Sequence, residues 1–118
     1  MKNAALHIRL RQALSGIVAS LRCENSFRTH AIGLVFVIVV LLATRPAPIW
    51  WATLLLTSGC VLAIELINTA LEKLIDHLHP DQHPSLKIVK DTLAGAVLVM
   101  SVIALVVFGA FLWTRTGP

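Results

Sequence analysis

The chain has 118 residues, 57% of them apolar in type and 14% charged, with a mean hydropathy of +0.81. That composition excludes a disordered segment and an ordinary soluble domain, and it fits one integral-membrane domain covering residues 1–118. Ten Lys and Arg against six Asp and Glu leave a net charge of +4, too small and scattered for nucleic-acid binding but enough to orient a chain in a bilayer. Cys23 sits between Arg22 and Glu24 whereas Cys60 lies deep in an apolar run. A bridge between them would join a polar surface to a bilayer interior, so both are expected as free thiols.

In chain order, Leu6, Leu10, Ala13, Leu14, Ile17, Val18 and Leu21 recur at three- and four-residue spacing, with Arg9, Arg11, Gln12, Ser15 and Arg22 between them. Residues 1–26 are therefore predicted as an amphipathic helix on the membrane surface. Three apolar stretches follow, Ala31 to Ala43, Ile49 to Ile64 and Leu93 to Trp113. A spanning helix needs about 20 residues, so the predicted spans are 27–45, 48–66 and 91–113, the second continuing as a polar helix to about residue 78. Pro48 is suited to the first turn of the second span, and Arg45-Pro46-Ala47-Pro48 to a short rigid turn. The first apolar run starts too late, and lacks a following small-residue site, for a cleaved signal peptide. The fold class is all-α membrane protein, a surface helix plus three transmembrane helices.

Basic residues set the orientation. Lys2, Arg9, Arg11, Arg22 and Arg28 precede the first span and Lys73, Lys87 and Lys90 lie between the second and third, against only Arg45 and Arg115 on the other side. The N-terminus and the second loop are expected in the cytoplasm and the C-terminus outside, with Trp50, Trp51 and Trp113 at the outer interface.

The chemistry-bearing segment runs from Glu65 to Asp76. At about 100° per residue, Asn68, Glu72 and Asp76 fall within about 60° of Glu65 and form one polar stripe on an otherwise apolar helix. Glu65 follows Pro48 by 17 residues, about 25 Å, so it lies near the inner edge of the hydrocarbon layer and Glu72 lies outside it. An acid in that position is expensive and usually paired or functional. Carboxylates at this spacing suit Mg²⁺, which takes one or two of them plus substrate phosphates, and leave another acid free as a base. Glu24 and the pair Lys90-Asp91 fall at the same interface. The third helix is expected to begin at Lys90, so that free N–H groups and a positive dipole end meet a phosphate there. Taken singly, Asp91 reads as an N-cap, Lys90 and Arg28 as orienting charges and Glu24 as a solvated acid; their common depth is what points to a site. The loop His77-Leu78-His79-Pro80-Asp81-Gln82-His83-Pro84 matches no standard zinc spacing and is read as holding a polar ligand through Asp81 and His83. Neither a P-loop nor a protein-kinase signature occurs.

Glu24-x-x-Phe27-Arg28, Glu65-x-x-Asn68-x-x-x-Glu72-x-x-x-Asp76 and Lys90-Asp91-x-x-Ala94-Gly95-Ala96-Val97 together resemble the prokaryotic diacylglycerol kinase family, which includes undecaprenol kinases. The resemblance runs from about Gly16 to the end of the third span. It implies a homotrimer of three-span subunits in the bacterial cytoplasmic membrane, with active sites between neighbours at the inner interface and ATP with Mg²⁺ as co-substrate. By the same resemblance Glu65 is the general base on the lipid hydroxyl, Glu24 and Glu72 are metal ligands that also contact ATP, and Asn68 and Asp76 support the stripe. Lys90, Asp91, Asp81, Gln82 and His83 correspond to ATP-contacting positions, and Phe27, Arg28 and Ala94, with Glu65, to lipid-contacting ones. The chain departs from the family at Ala5, where an Arg contacts nucleotide, leaving Arg9 or Arg11 as substitutes, and at Gln12, where a Tyr is usual. His30 and Ala94-Gly95-Ala96 look closer to the undecaprenol-kinase branch. With that resemblance, the reading is a lipid kinase acting on diacylglycerol, or alternatively undecaprenol. A rival from another class, a small proton-coupled transporter, would place its acid nearer the midplane.

Overall fold

The computed structural model describes residues 3–81 and 83–117; Lys2 and Gln82 of the sequence reading lie outside the described residues. Among the described residues there are four helices and no strand: α1 (Leu6–Cys23), α2 (Asn25–Thr44), α3 (Pro48–Leu78) and α4 (Pro84–Thr116). α2, α3 and α4 are each long and apolar enough to cross a membrane. Cys23 and Cys60 are free thiols.

The break between α1 and α2 is one residue wide. Glu24 is extended, with φ −117° and ψ 113°, while its N–H still donates to the Ser20 carbonyl. Arg28, one turn into α2, donates from its guanidinium to the carbonyls of Leu21 and Arg22 at 3.3 and 2.9 Å and to the Asn25 side chain. Carbonyls at a helix C-terminus lack helical partners, and a cation there also meets the negative dipole end. The elbow that presents Glu24 is thus stapled by a side chain from the next helix.

At the far end of α2, Arg45 adopts the left-handed conformation (φ 46°, ψ 58°) and its N–H closes on Leu41. Pro46 and Pro48 prevent the helix from continuing, and Pro48 opens α3. Leu41, Leu54 and Phe111 are fully buried together beside Trp50, Trp51, Val107 and Phe108. The Trp50 and Phe111 rings meet edge-on at 5.5 Å, and Arg115 of α4 donates to the Thr44 carbonyl at 3.3 Å. α2 and α4 consequently run parallel, with α3 antiparallel between them, and all three are locked together at the tryptophan-bearing end.

α3 has 31 residues and α4 has 33, about 46 and 50 Å of helix, against about 30 Å of hydrocarbon. Since they are level at the tryptophan end, their surplus turns emerge at the opposite, acidic end. One sequence expectation is corrected here: the last helix begins at Pro84, not at Lys90. The proline is preset for the first turn, and the His83 side chain caps the helix by accepting from the Ser85 N–H at 3.2 Å. Lys90 and Asp91 lie inside α4, and Lys87 and Asp91 pair along it at 2.6 Å. The free N–H groups expected at Lys90 belong instead to the turn after His83.

Phe111 has neighbours on all three spanning helices. Phe111→Ala is expected to destabilise the bundle by about 3 to 5 kcal/mol and Phe111→Leu by less than about 1.5 kcal/mol, measured by thermal unfolding in detergent micelles.

Candidate active site

The buried face of α3 consists of Leu54, Thr57, Val61, Glu65, Asn68 and Thr69. Its first half is a packing surface for α2 and α4, and its second half is the polar stripe, so the stripe is the continuation of the core. Glu65 is 4% exposed. Its Oε2 lies 3.5 Å from Nδ1 of His30 on α2. Asn68, one turn further on, is buried with its side-chain oxygen unpartnered.

Beyond Asn68 the stripe opens to solvent by degrees, Glu72 being half-buried and Asp76 exposed. Lys90 of α4 crosses to Asp76 at 2.5 Å, and Lys73 reaches Glu24 at the α1–α2 elbow at 3.5 Å. These two pairs draw α1, α3 and α4 together around Glu72, which has no cation of its own at pairing distance among the described residues. Burial pushes the Glu72 carboxyl above its ordinary range; Lys90 opposes the shift, while Glu24, Asp76 and Glu65 add to it. Glu72 is held among like charges that one lysine partly offsets.

The other sequence-selected residues are divided between this cluster and its margins. Phe27 is buried and Ala94 is exposed on α4. Arg28 is engaged at the elbow. Lys90 and Asp91 turn to different partners, Lys90 across to Asp76 and Asp91 along its own helix to Lys87. Asp81 and His83 border an open cavity of about 420 Å³ with Leu78, His79, Ser85 and Leu86, apart from the stripe. Between α2, α3 and α4, His30, Gly33, Val61, Ser101 and Phe108 line an apolar cavity of about 330 Å³ that leads toward the level of Glu65. Three pairings in the cluster were missed from sequence, His30 beside Glu65, Lys73 beside Glu24 and Lys90 beside Asp76. The first was signalled by helix register, since His30 and Glu65 stand at similar distances from the α2–α3 turn.

The sequence that builds this bundle has known relatives. The model of the family described as prokaryotic diacylglycerol kinase matches residues 11–112. The chain belongs to the prokaryotic diacylglycerol kinase family. Membership makes it a kinase of a membrane lipid-kinase family. It is 34% identical over 92 residues to the undecaprenol kinase of Bacillus subtilis, covering 78% of this chain and 75% of that protein. With the diacylglycerol kinase of Synechocystis it shares 36% identity over 108 residues, 91% of this chain but 62% of that longer protein. With the Escherichia coli K12 diacylglycerol kinase it shares 24% over 102 residues, 86% and 84% of the two chains.

The donor set fits a hard divalent cation carried by a nucleotide. Among the described residues no three His, Cys, Asp or Glu side chains converge on one point. Two carboxylates, Glu24 at the α1–α2 elbow and Glu72 on α3, with surplus negative charge around the second, fit an ion that arrives with phosphates and keeps much of its water.

Because the folded state favours protonated Glu72, its ionisation opposes folding: stability is fullest below the unfolded value near 4.5 and declines as pH rises through the higher folded value. In metal-free, nucleotide-free protein, Glu72→Gln is therefore expected to match or exceed wild-type thermal stability at neutral pH and to lose this advantage in acid, as measured by melting across that range.

Proposed function

We propose that this chain transfers the γ-phosphoryl group of ATP to the hydroxyl of a membrane-embedded alcohol. Diacylglycerol, giving phosphatidic acid, is the first choice. Undecaprenol, giving undecaprenyl phosphate, is the alternative favoured by the likeness to the Bacillus enzyme. The observation that carries the reading is the burial gradient along α3, from Glu65 in the bundle to Asp76 in solvent, because an insoluble acceptor and a soluble donor meet only where such a stripe crosses the interface. A proton-coupled transporter is expected to hold its acid near the bilayer midplane, and Glu65 stands 17 residues from the start of α3, close to the hydrocarbon edge.

In this reading Glu65 takes the proton from the lipid hydroxyl. The lipid oxygen bonds to the γ-phosphorus, and the bond from that phosphorus to the ADP oxygen breaks. Glu24 and Glu72 are the residues that would hold Mg²⁺, which when bound with ATP supplies neutralisation of phosphate charge. Lys90 lies beside Glu72 and Asp76 as the fixed positive charge for the transferring group, and Asn68 occupies the turn between base and metal ligands. Asp81, Gln82, His83 and Asp91 are assigned to the outer part of the nucleotide site, and Phe27, Arg28 and Ala94 to the lipid side. The working unit is a homotrimer in the bacterial cytoplasmic membrane, with the N-terminus inside and the C-terminus outside. The half-open flank of Glu72 is the surface a neighbouring copy would cover.

Purified protein offered both alcohols with radiolabelled ATP is expected to phosphorylate one of them in a Mg²⁺-dependent manner; proton-gradient-driven flux without lipid phosphorylation would replace this reading. Glu65→Gln keeps the size of the side chain but cannot take a proton at neutral pH, so turnover is expected to fall about 10²- to 10⁴-fold with ATP affinity little changed. Glu72→Gln is expected to raise the Mg²⁺ concentration needed for half-maximal activity.

A further inference from the structure

Glu65 has two equivalent oxygens and a flexible stem, so a base in this place needs something to fix which oxygen faces the substrate. The packing supplies one candidate. Leu41 of α2 and Leu54 of α3 meet in the buried cluster. Eleven residues toward the acidic end on each helix, three turns, come His30 and Glu65. A register that places the leucines together therefore places the imidazole and the carboxylate together. The His30 side chain is 27% exposed and that of Glu65 5%, with Nδ1 and Oε2 3.5 Å apart. Nδ1 itself is buried and makes no hydrogen bond, its approach to Oε2 being at ion-pair distance only. The nearby lysines are turned elsewhere, Lys73 to Glu24 and Lys90 to Asp76, so among the described residues His30 is the one ionisable donor facing Glu65.

We propose that His30 is the positioning residue of the base: its Nδ1–H holds Oε2 of Glu65 and leaves Oε1 directed at the lipid hydroxyl. This rests on the lipid-kinase reading above. A base oriented by a third group is a recurrent arrangement in proton-transfer catalysis, and such contacts are often long in the free enzyme and tighten with substrate. A Leu at position 30 has no donor. An Asn carries its amide nitrogen close to where the imidazole carries Nδ1, so it restores the contact while abolishing ionisation. The two substitutions separate positioning from mere packing.

The test uses full-length protein in lipid nanodiscs containing whichever alcohol the wild type phosphorylates. His30→Leu is expected to lower kcat about 10- to 100-fold, as misplacement of a reacting group does, with KM for ATP unchanged, and His30→Asn to stay within about threefold of wild type. Nitrogen-15 NMR of the wild-type histidines gives a readout independent of any variant's folding, with the His30 proton expected on Nδ1. Wild-type kcat in His30→Leu, equal impairment in the two variants, or a bare Nδ1 in the wild type would each overturn the assignment. Wild-type protein that phosphorylates neither alcohol would remove the lipid-kinase reading and this role with it, whereas normal wild-type turnover with an unaffected His30→Leu removes the role of His30 alone.

Discussion

The mismatch between helix length and hydrocarbon thickness governs the arrangement of everything else. α3 and α4 are each far longer than the apolar layer, and both are fixed to α2 at the tryptophan end by Leu41, Leu54 and Phe111. Their excess can appear only at the other end, and there the α3 face that is Leu54 and Val61 in the bundle becomes Glu65, Asn68 and Glu72. One helical face thus serves as core, base and charged surface in succession. Displacement of α3 by two turns, about 11 Å, would bring Glu72 to the depth of Glu65 or carry Glu65 out among the solvated acids.

The charges at the acidic end are distributed unevenly. Glu24 and Asp76, on the outer side of the cluster, each have a lysine, whereas the half-buried Glu72 shares one and Glu65 faces only an imidazole. Exposed pairs of this kind contribute little to stability, about 0 to 1 kcal/mol. Their effect here is steric and electrostatic, holding α1, α3 and α4 at a set separation and leaving a region of unmet negative charge between them.

Helix number, the three helices apolar enough to span, the separate N-terminal helix and the common direction of the acidic stripe were legible in the sequence, because each follows from a periodicity within one segment. The start of α4 was not. Hydropathy responds to the apolar length of a helix, and the polar turns from Pro84 to Lys90 resemble loop until His83, Pro84 and Ser85 are read together as a cap. Arg28 was legible as an orienting charge but not as the staple of the elbow, since its targets, the carbonyls of Leu21 and Arg22, are backbone groups whose direction depends on the angle between two helices. The proximity of His30 and Glu65 lay between these cases. It needed only the antiparallel register that the Pro46-Ala47-Pro48 turn imposes, but no single segment contains it.

The aromatic clamp also determines where the molecule is stiff. A bundle fused at one end by a fully buried apolar cluster, and held at the other largely by polar groups, Glu65 and Asn68 inside and lysine–carboxylate pairs in contact with water, behaves like a tuning fork. Its closed end resists deformation, while its prongs, which carry the acidic groups, can be spread at small energetic expense. Compliance is therefore greatest in the plane where a lipid of one girth or another would have to slip between helices. On the proposed lipid-kinase reading, tolerance for the bulk of the acceptor's chain would thus be a mechanical property of the bundle, set about three turns away from Glu65.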